Sequence, residues 1–348
     1  MIDDALVLET SSGSLEPCHD RLPLSDYLRA SGLQSLVIGL SRDPNAKVTC
    51  LLVSPATSRP ILAVKVPTTD TAAVAVDAEM QVLAAVRALA PESLGDTFPR
   101  VVDVVEYEGR PTAVMTAVPG RPMTVAYMRR RHTGTPRRVA ADLAAVSAWL
   151  TNFQQATAGA FSALDMDGGV ALRLQRRFGD EPELSEDLAR LADIHARLAR
   201  RFVRRTAVHG DFWFGNVLVR HGRVSGVVDW EAAAAKGEPV RDLVRFALIY
   251  ALYLDRRTRA GRRVPGHAGL RAGTWGAALE FALDGTGWFP DLFRSFLQEG
   301  LSRLGASPED WRDAALAGVA EVAALTDHPD FARHHLELFR RVARKEPA

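Results

Sequence analysis

The sequence predicts an α+β fold with two lobes: a small β-rich lobe first, then a larger and mainly helical lobe. Two observations support this prediction. Apolar runs of strand length crowd into the first third of the chain, and helical patterns dominate after the break at Pro119 and Gly120. We therefore expect a first lobe over residues 1–118 and a second over 119–348.

The first lobe contains five strand-like runs around one long helical pattern. The helical pattern at 71–89 places Val82, Val86 and Leu89 on one stripe, and Pro91 ends it. Short turn-forming segments separate the apolar runs, which indicates a largely antiparallel sheet. The predicted strands are 34–40, 47–53, 61–66, 100–107 and 111–117.

The second lobe is dominated by helical periodicity, with no internal repeat. The clearest helical patterns are 139–158, 183–202 and 240–254, and the last quarter of the chain is almost wholly helical. Ser307 followed by Pro308 predicts a capped start for one of these helices.

Bulk composition indicates an ordinary globular protein. Of the 348 residues, 47% are hydrophobic and 24% are charged. The 43 basic and 42 acidic residues nearly cancel, so no overall field favours nucleic acid or a membrane surface. Any recognition of charge must therefore be local.

Cysteine usage and the N-terminal sequence suggest a cytoplasmic protein. Cys18 and Cys50 are too few for a disulfide framework or a zinc site. The opening MIDDALVLET lacks the basic and apolar segments of a signal peptide. The apolar pattern at 243–254 is short and contains Arg245, so it does not predict a membrane span.

One stretch, TAVHGDFWFGNVLVRHGRVSGVVDWE at 206–231, concentrates the polar residues that suggest chemistry. Asp211 and Asn216 lie between two strand-like runs, and a turn at 220–223 brings Asp229 back beside them. This layout suits the holding of metal-bound phosphates beside a hydroxyl group.

The same stretch resembles a known group of enzymes. Its order of His209, Asp211, Asn216 and Asp229 is similar to that of the protein kinases, with Gly210 where those kinases carry arginine. The fuller pattern, HGD followed by NVL and VDWE, resembles the aminoglycoside phosphotransferase and choline kinase family. The resemblance implies a bilobal protein-kinase-like fold, with ATP and Mg²⁺ as cofactors and a small-molecule hydroxyl as acceptor.

The resemblance implies a role for each polar residue of the stretch. Asp211 would accept the proton of the acceptor hydroxyl or orient that hydroxyl toward the γ-phosphate. Asn216 and Asp229 would supply oxygen ligands to magnesium. The alternative is ordinary turn polarity, which Asp and Asn commonly provide.

Lys65 lies in the apolar strand-like run ILAVKVP, where the family carries a lysine that contacts the α- and β-phosphates. A charged amine in such a strand is either an edge residue that reaches water or a buried group that requires a partner. Periodicity selects Glu79, which shares the apolar stripe of the 71–89 helix, whereas Asp77 falls on another face. The alternative for Glu79 is an acid at the edge of the stripe that reaches water.

The resemblance also locates the rest of the nucleotide site. At the hinge VMTAVPG, Thr116 and Val118 are the expected contacts of the adenine ring. In the turn that would cover the phosphates, only Gly39 is a glycine, and we assign Ser41 to the phosphates, with a plain polar turn residue as the alternative. His209 is expected to fix the backbone, and Asp242 to support the catalytic loop.

The acceptor is less well defined by the sequence. Two arginine-rich segments, 129–138 and 256–271, would suit an anionic group on an acceptor or partner. Solvated loops are the favoured alternative. The acids that would instead serve a cationic acceptor are Asp255, Glu280, Asp284 and Glu299.

These observations predict an ATP-dependent phosphotransferase that moves the γ-phosphate to a hydroxyl of an aminoglycoside-like antibiotic, a sugar or an amino alcohol. The main alternative is a catalytically silent, nucleotide-binding regulatory module. A protein kinase is disfavoured by Gly210 and by the glycine-poor turn.

Overall fold

The computed structural model describes residues 21–40 and 46–345. It has the predicted α+β architecture, with an antiparallel sheet in the first lobe and helices dominating the second. Cys50 carries a free thiol, and Cys18 lies outside the described residues. Among the described residues, no helix is long and apolar enough to cross a bilayer.

The first lobe is a five-stranded sheet of order β1-β2-β3-β5-β4 with a helix on each face. All neighbouring strands in it pair antiparallel. Its elements are α1 (Leu24–Ser31), β1 (Gln34–Leu40), β2 (Lys47–Val53), β3 (Pro60–Pro67), α2 (Asp70–Leu89), α3 (Glu92–Gly95), β4 (Val101–Tyr107) and β5 (Arg110–Thr116).

Alternation along β3 divides its side chains between two cores. Val64 and Val66 face a small cluster beneath α1, together with Val114 of β5. Because successive side chains of a strand point to opposite faces, Lys65 projects toward α2. The first lobe thus places one amine on the face covered by the predicted helix.

The second lobe combines small sheets with a helical bundle. Its first elements are β6 (Arg121–Pro122), α4 (Met123–Tyr127), α5 (Pro136–Ala156), β7 (Phe161–Ala163), α6 (Val170–Phe178), α7 (Leu184–Leu198), β8 (Phe202–Arg204), β9 (Thr206–Val208), β10 (Val217–Arg220), β11 (Arg223–Val227) and β12 (Ala234–Gly237). The remaining helices are α8 (Pro239–Leu252), α9 (Ala277–Asp284), α10 (Trp288–Leu304), α11 (Trp311–Leu325) and α12 (Pro329–Ala343).

Two details differ from the sequence-based expectation. The helix predicted over 183–202 ends at Leu198, because Phe202–Arg204 pairs with Phe161–Ala163 as a short antiparallel ribbon. The start at Ser307 is a single 3₁₀ turn, Pro308–Asp310, that leads into α11.

The core of the second lobe lies around α8. Twelve of its residues are buried, including Leu243, Phe246 and Leu248. Helices α9, α10 and α11 pack around it, and β9 lies beside its start. The stretch identified from the sequence is therefore anchored on the best-packed helix of the lobe.

Candidate active site

A tight hairpin brings the two ends of the 206–231 stretch together. Strands β10 and β11 are joined at His221 and Gly222, both of which have positive φ, as two-residue hairpin turns require. The Val228 N–H donates to the Asn216 carbonyl at 3.0 Å. Asp229 thereby returns to the level of Asn216, as the spacing predicted.

Asp242, in the first turn of α8, holds the start of the loop that follows β9 and carries Asp211. Its two carboxylate oxygens accept hydrogen bonds from the backbone N–H groups of His209 at 2.7 Å and Gly210 at 2.9 Å. Burial raises the pKa of Asp242, while the His209 ring and these two donors oppose that effect. The supporting contact expected from the sequence is therefore present.

His209 is engaged by backbone on both ring nitrogens. Nε2 donates to the Val228 carbonyl at 3.0 Å, and Nδ1 accepts from the Asp211 N–H at 3.3 Å. The ring is fully buried. Both nitrogens are thus used in tying the loop to the strand that carries Asp229, consistent with a role in fixing backbone.

Aromatic packing fixes the loop between these polar contacts. Phe212 and Phe214 are fully buried, and their rings stack on Trp149 and Tyr127 respectively. Asp211, which precedes Phe212, stays partly exposed. The alternation anchors the loop by its apolar residues and leaves its carboxylate accessible.

Lys65 lies at the junction of the two lobes. Its Nζ donates to both oxygens of Glu79 at 2.6 Å and to Asp229 Oδ1 at 2.9 Å. Burial alone would lower the pKa of Lys65, but the carboxylates of Glu79 and Asp229 outweigh it and raise that pKa. The amine is therefore charged, and it joins the first lobe to the loop of the second.

Glu79 is the partner that periodicity selected for Lys65. It is fully buried on α2, and its Oε1 also accepts from the Trp230 N–H at 2.9 Å. Asp77 lies on another face and pairs with Gln81 at 2.7 Å. Glu79 thus links Lys65 to the backbone that follows Asp229.

Lys47 is a second cation at the site, and sequence reasoning missed it. Its Nζ contacts Asp229 Oδ1 at 3.2 Å and also Glu231. Burial would raise the pKa of Asp229, but Lys65 and Lys47 outweigh it and hold that pKa below its usual range. A lysine at the start of a strand after a turn gave no signal, because such positions usually face water.

Asp211 is held from two sides. Asn216 Nδ2 donates to its backbone oxygen at 3.0 Å and to Oδ2 at 3.2 Å, and Arg245 donates to Oδ1 at 2.7 Å. Arg245 lies one helical turn after Asp242 on α8. The only sequence signal for it was a charge within the apolar pattern at 243–254.

Two oxygens suited to a divalent metal remain accessible. Asp229 Oδ2 and Asn216 Oδ1 accept no hydrogen bond from the residues that the structure describes, and both residues line the same cleft. Carboxylate and amide oxygens are ligands that magnesium prefers. The donor set therefore fits the metal that the resemblance implied.

The cleft between the lobes has a volume of about 540 Å³. Lys65, Asn216 and Asp229 line it on one side, and the predicted hinge contacts Thr116 and Val118 line it on another. Ser41 lies outside the described residues. All other predicted nucleotide and metal residues, except Glu79 behind Lys65, thus face one cavity.

A second cavity of about 370 Å³ opens on the other side of the loop, where α8 and α11 meet. Asp211 and Arg245 line it, and Asp229 lines both cavities. None of the acids proposed for a cationic acceptor lines it; Asp284 lines a separate cavity of about 880 Å³ in the helical lobe. Asp255 follows α8, whereas Glu280 and Asp284 belong to α9 and Glu299 belongs to α10.

Solved structures share this fold at low sequence identity. Aminoglycoside phosphotransferase APH(4)-Ia superposes with a TM-score of 0.56 at 14% identity, covering 92% of this chain and 97% of that one. A complex of a thermostable mutant of the same enzyme with AMP-PNP and hygromycin B gives 0.55 at 16% identity, covering 90% and 93%. The amicoumacin kinase hAmiN, in complex with AMP-PNP, Ca²⁺ and Ami, gives 0.55 at 13% identity, covering 93% of each chain.

Sequence comparison identifies the family. A search of curated protein sequences returned no significant match. The family model described as the phosphotransferase enzyme family matches residues 53–281, which include β3, α2, the predicted hinge and the whole 206–231 stretch. The chain therefore belongs to the phosphotransferase enzyme family, as the resemblance of its 206–231 stretch predicted.

Proposed function

We propose that the protein transfers the γ-phosphate of ATP, in a magnesium-dependent reaction, to a hydroxyl group of a small molecule. One observation carries the proposal. The cavity lined by Lys65 and the cavity lined by Asp211 meet at Asp229. A phosphate held on one side would therefore face a hydroxyl held on the other.

The nucleotide side supplies charge and orientation. Lys65 would neutralise the phosphates, and Thr116 and Val118 would contact the adenine ring. When bound, magnesium supplies positive charge to the phosphate oxygens, and Asn216 and Asp229 would hold it. We also propose that the lobe boundary falls at residues 118 and 119, within the segment that lines this cleft.

The acceptor side supplies the group that handles the proton. Asp211 would accept the hydroxyl proton or orient the hydroxyl in line with the γ-phosphate, which is transferred as ADP leaves. Its Oδ1 is now paired with Arg245, so an entering hydroxyl would share or replace that contact. The loop backbone, held by Asp242 and His209, would keep Asp211 in place during transfer.

The charge of the acceptor cavity helps to define the acceptor class. Most of the acids that line this cavity already form ion pairs with cations of the protein. These pairs are Asp211 with Arg245, Glu231 with Lys47, and Glu321 with Arg241. Asp327 is the one lining acid without an ion pair among the described residues. The cavity therefore favours a neutral or singly cationic alcohol, such as a sugar or amino alcohol, over a polycationic aminoglycoside.

The test is single-turnover transfer from labelled ATP to a panel of cationic, neutral and anionic alcohols. We expect Asp211→Asn to slow transfer by about 10²–10⁴-fold, the usual contribution of a positioned acid or base. ADP affinity should not change, because Asp211 does not line the nucleotide cleft. Asp96→Asn, which alters an exposed acid of the first lobe, is the control. Undiminished transfer by Asp211→Asn would remove Asp211 from this role.

A further inference from the structure

The two arginine-rich segments of the sequence meet in the structure. They form a cavity of about 460 Å³, here called the arginine pocket. Arg129, Arg130 and Arg131 follow α4, and Arg257 follows α8. The pocket shares no lining residue with the nucleotide cleft or the acceptor cavity. It is therefore a separate feature of the second lobe.

The pocket carries positive charge without compensation. No acidic residue lines it. Within the part of the chain that the structure describes, none of its four guanidinium groups makes an ion pair or a side-chain hydrogen bond. Two acids that lie near these arginines in the sequence form hydrogen bonds with other groups. Asp142 bonds with His132 and Tyr250, and Asp255 bonds with the backbone of Gly273. Collecting like charges in this way opposes folding unless an anion binds them.

The two segments are held together by contacts that need specific residues. A Cβ added to Gly134 would lie 2.4 Å from the Pro265 carbonyl oxygen, and one added to Gly266 would lie 2.3 Å from the Gly134 oxygen. This close backbone approach is open only to glycine. The contact between the two backbones therefore brings the four arginines, whose side chains are exposed, to the same cavity.

A buried histidine reinforces that contact. His267 is 3% exposed, and its Nε2 donates to the Thr133 carbonyl at 2.9 Å. The Trp288 ring stacks on His267, and its Nε1 donates to the Gly266 carbonyl at 2.8 Å. Burial lowers the pKa of His267 to about 4, so the ring adds no charge to the cluster near neutral pH. The backbone that carries the arginines is thus held in one arrangement before any ligand binds.

From this geometry we infer that the arginine pocket binds a small molecule that carries two or more phosphate groups. Guanidinium groups pair with phosphate oxygens through two parallel hydrogen bonds, which suits a multiply charged oxyanion. The volume is that of a small-ligand site. Tyr127 and Tyr253 form one wall, and both pack against Phe214 of the catalytic loop. The ligand would therefore bind behind the loop that holds Asp211.

The experiment is calorimetric titration with inorganic tripolyphosphate, without metal, in the absence and presence of saturating ADP. The pocket variant is Arg130→Gln with Arg257→Gln. The matched control is Arg138→Gln with Arg262→Gln, which removes the same charge from the same two segments outside the pocket. We expect tripolyphosphate to bind at a site that ADP does not block. The pocket variant should weaken that binding by about a hundredfold, at about tenfold for each charge-assisted pair, and the control by less than about threefold.

Three results would overturn the inference. One is equal weakening by the pocket and control variants, which would indicate diffuse attraction. Another is complete competition between tripolyphosphate and ADP. The third is binding of heparin without binding of tripolyphosphate, which would indicate a surface for a large polyanion. ADP affinity, measured in parallel, reports on the proposed nucleotide cleft, so a failure there is separable from a failure here.

Discussion

Arg245 donates a hydrogen bond to Asp211 Oδ1 at 2.7 Å, so the carboxylate proposed as the catalytic base is held by a guanidinium from α8. Asn216 holds the other oxygen of the same carboxylate at 3.2 Å. Together these contacts leave Asp211 one defined orientation before any acceptor enters. Such preorganisation reduces the cost of reaching a reactive geometry.

Replacing Arg245 with alanine should lower kcat, because Asp211 would lose one of the two contacts that fix it. We expect a decrease of about 10- to 100-fold, the scale on which a small misplacement affects catalysis. ADP affinity should stay the same, because Arg245 does not line the nucleotide cleft. Steady-state kinetics with the best alcohol of the panel would measure the change.

Arg241→Ala is the matched control for this prediction. Arg241 lines the same cavity but pairs with Glu321 at 2.5 Å instead of with Asp211. Its loss should change KM more than kcat. If both variants lowered kcat equally, the effect would come from the charge of the cavity, and the Asp211 contact would not explain it.

Glu79→Ala should destabilise the protein, because it would leave Lys65 buried beside one carboxylate instead of two. It would also orphan the Trp230 N–H. Loss of one member of a buried ion pair costs about 3–5 kcal/mol. Urea denaturation would measure the free energy of unfolding. Asp77→Ala, on the same helix but paired only with Gln81, should cost less than about 0.5 kcal/mol; similar losses for the two variants would contradict the burial argument.

Gly210→Ala should impair both folding and transfer, because two constraints act at this position. Gly210 has a φ of +80°, and an added Cβ would lie 2.1 Å from the Ala232 carbonyl oxygen. The loop would have to move away from Asp242, whose carboxylate accepts from the Gly210 N–H. We expect transfer to fall by at least about tenfold, on the scale of misplaced catalytic groups.

Gly222→Ala separates the two constraints. Its φ is +72°, but an added Cβ would meet nothing within 4 Å. It should therefore cost only the penalty of about 1 kcal/mol for left-handed backbone, with transfer unchanged. Equal effects of the two variants on transfer would show that backbone conformation alone matters at Gly210.

Local patterns predicted the elements well because burial on one face dictates them. The runs at 34–40 and 47–53 have the same bounds as β1 and β2 in the structure. Periodicity also found Glu79, since its partner Lys65 lies on the adjacent strand face that α2 covers. Where one element packs on its neighbour, sequence spacing is enough to pair two charges.

Contacts between distant segments could not be predicted in the same way. Arg245 reaches Asp211, and Lys47 reaches Asp229, across separations at which helical and strand periods carry no information. The close approach of the Gly134 and Gly266 backbones, which brings the two arginine-rich segments together, likewise left no signal in the sequence. Only the packing of whole elements determines which of these cations share a site.

Glu238 should make stability depend on pH. It is 2% exposed, and burial raises its pKa from 4.5 to about 7, although the Asp165 N–H and Arg205 oppose that shift. Between these values the folded protein holds a proton that the unfolded chain has released. The contribution of Glu238 to the free energy of unfolding is therefore fully present below pH 4.5. It is lost as the pH rises through about 7, by about 3 kcal/mol in total.

Glu238→Gln removes this titration while it keeps an oxygen that accepts from the Asp165 N–H. Urea unfolding of both proteins at pH 5 and pH 8 would isolate the effect, because all other titrating groups are shared. We expect the wild-type protein to lose more stability than the variant between these pH values. Since the variant cannot form the ion pair that Arg205 makes with an ionised Glu238, the informative quantity is the difference in slope. Parallel pH dependences would show that Glu238 titrates near its ordinary range and that Arg205 fully offsets its burial.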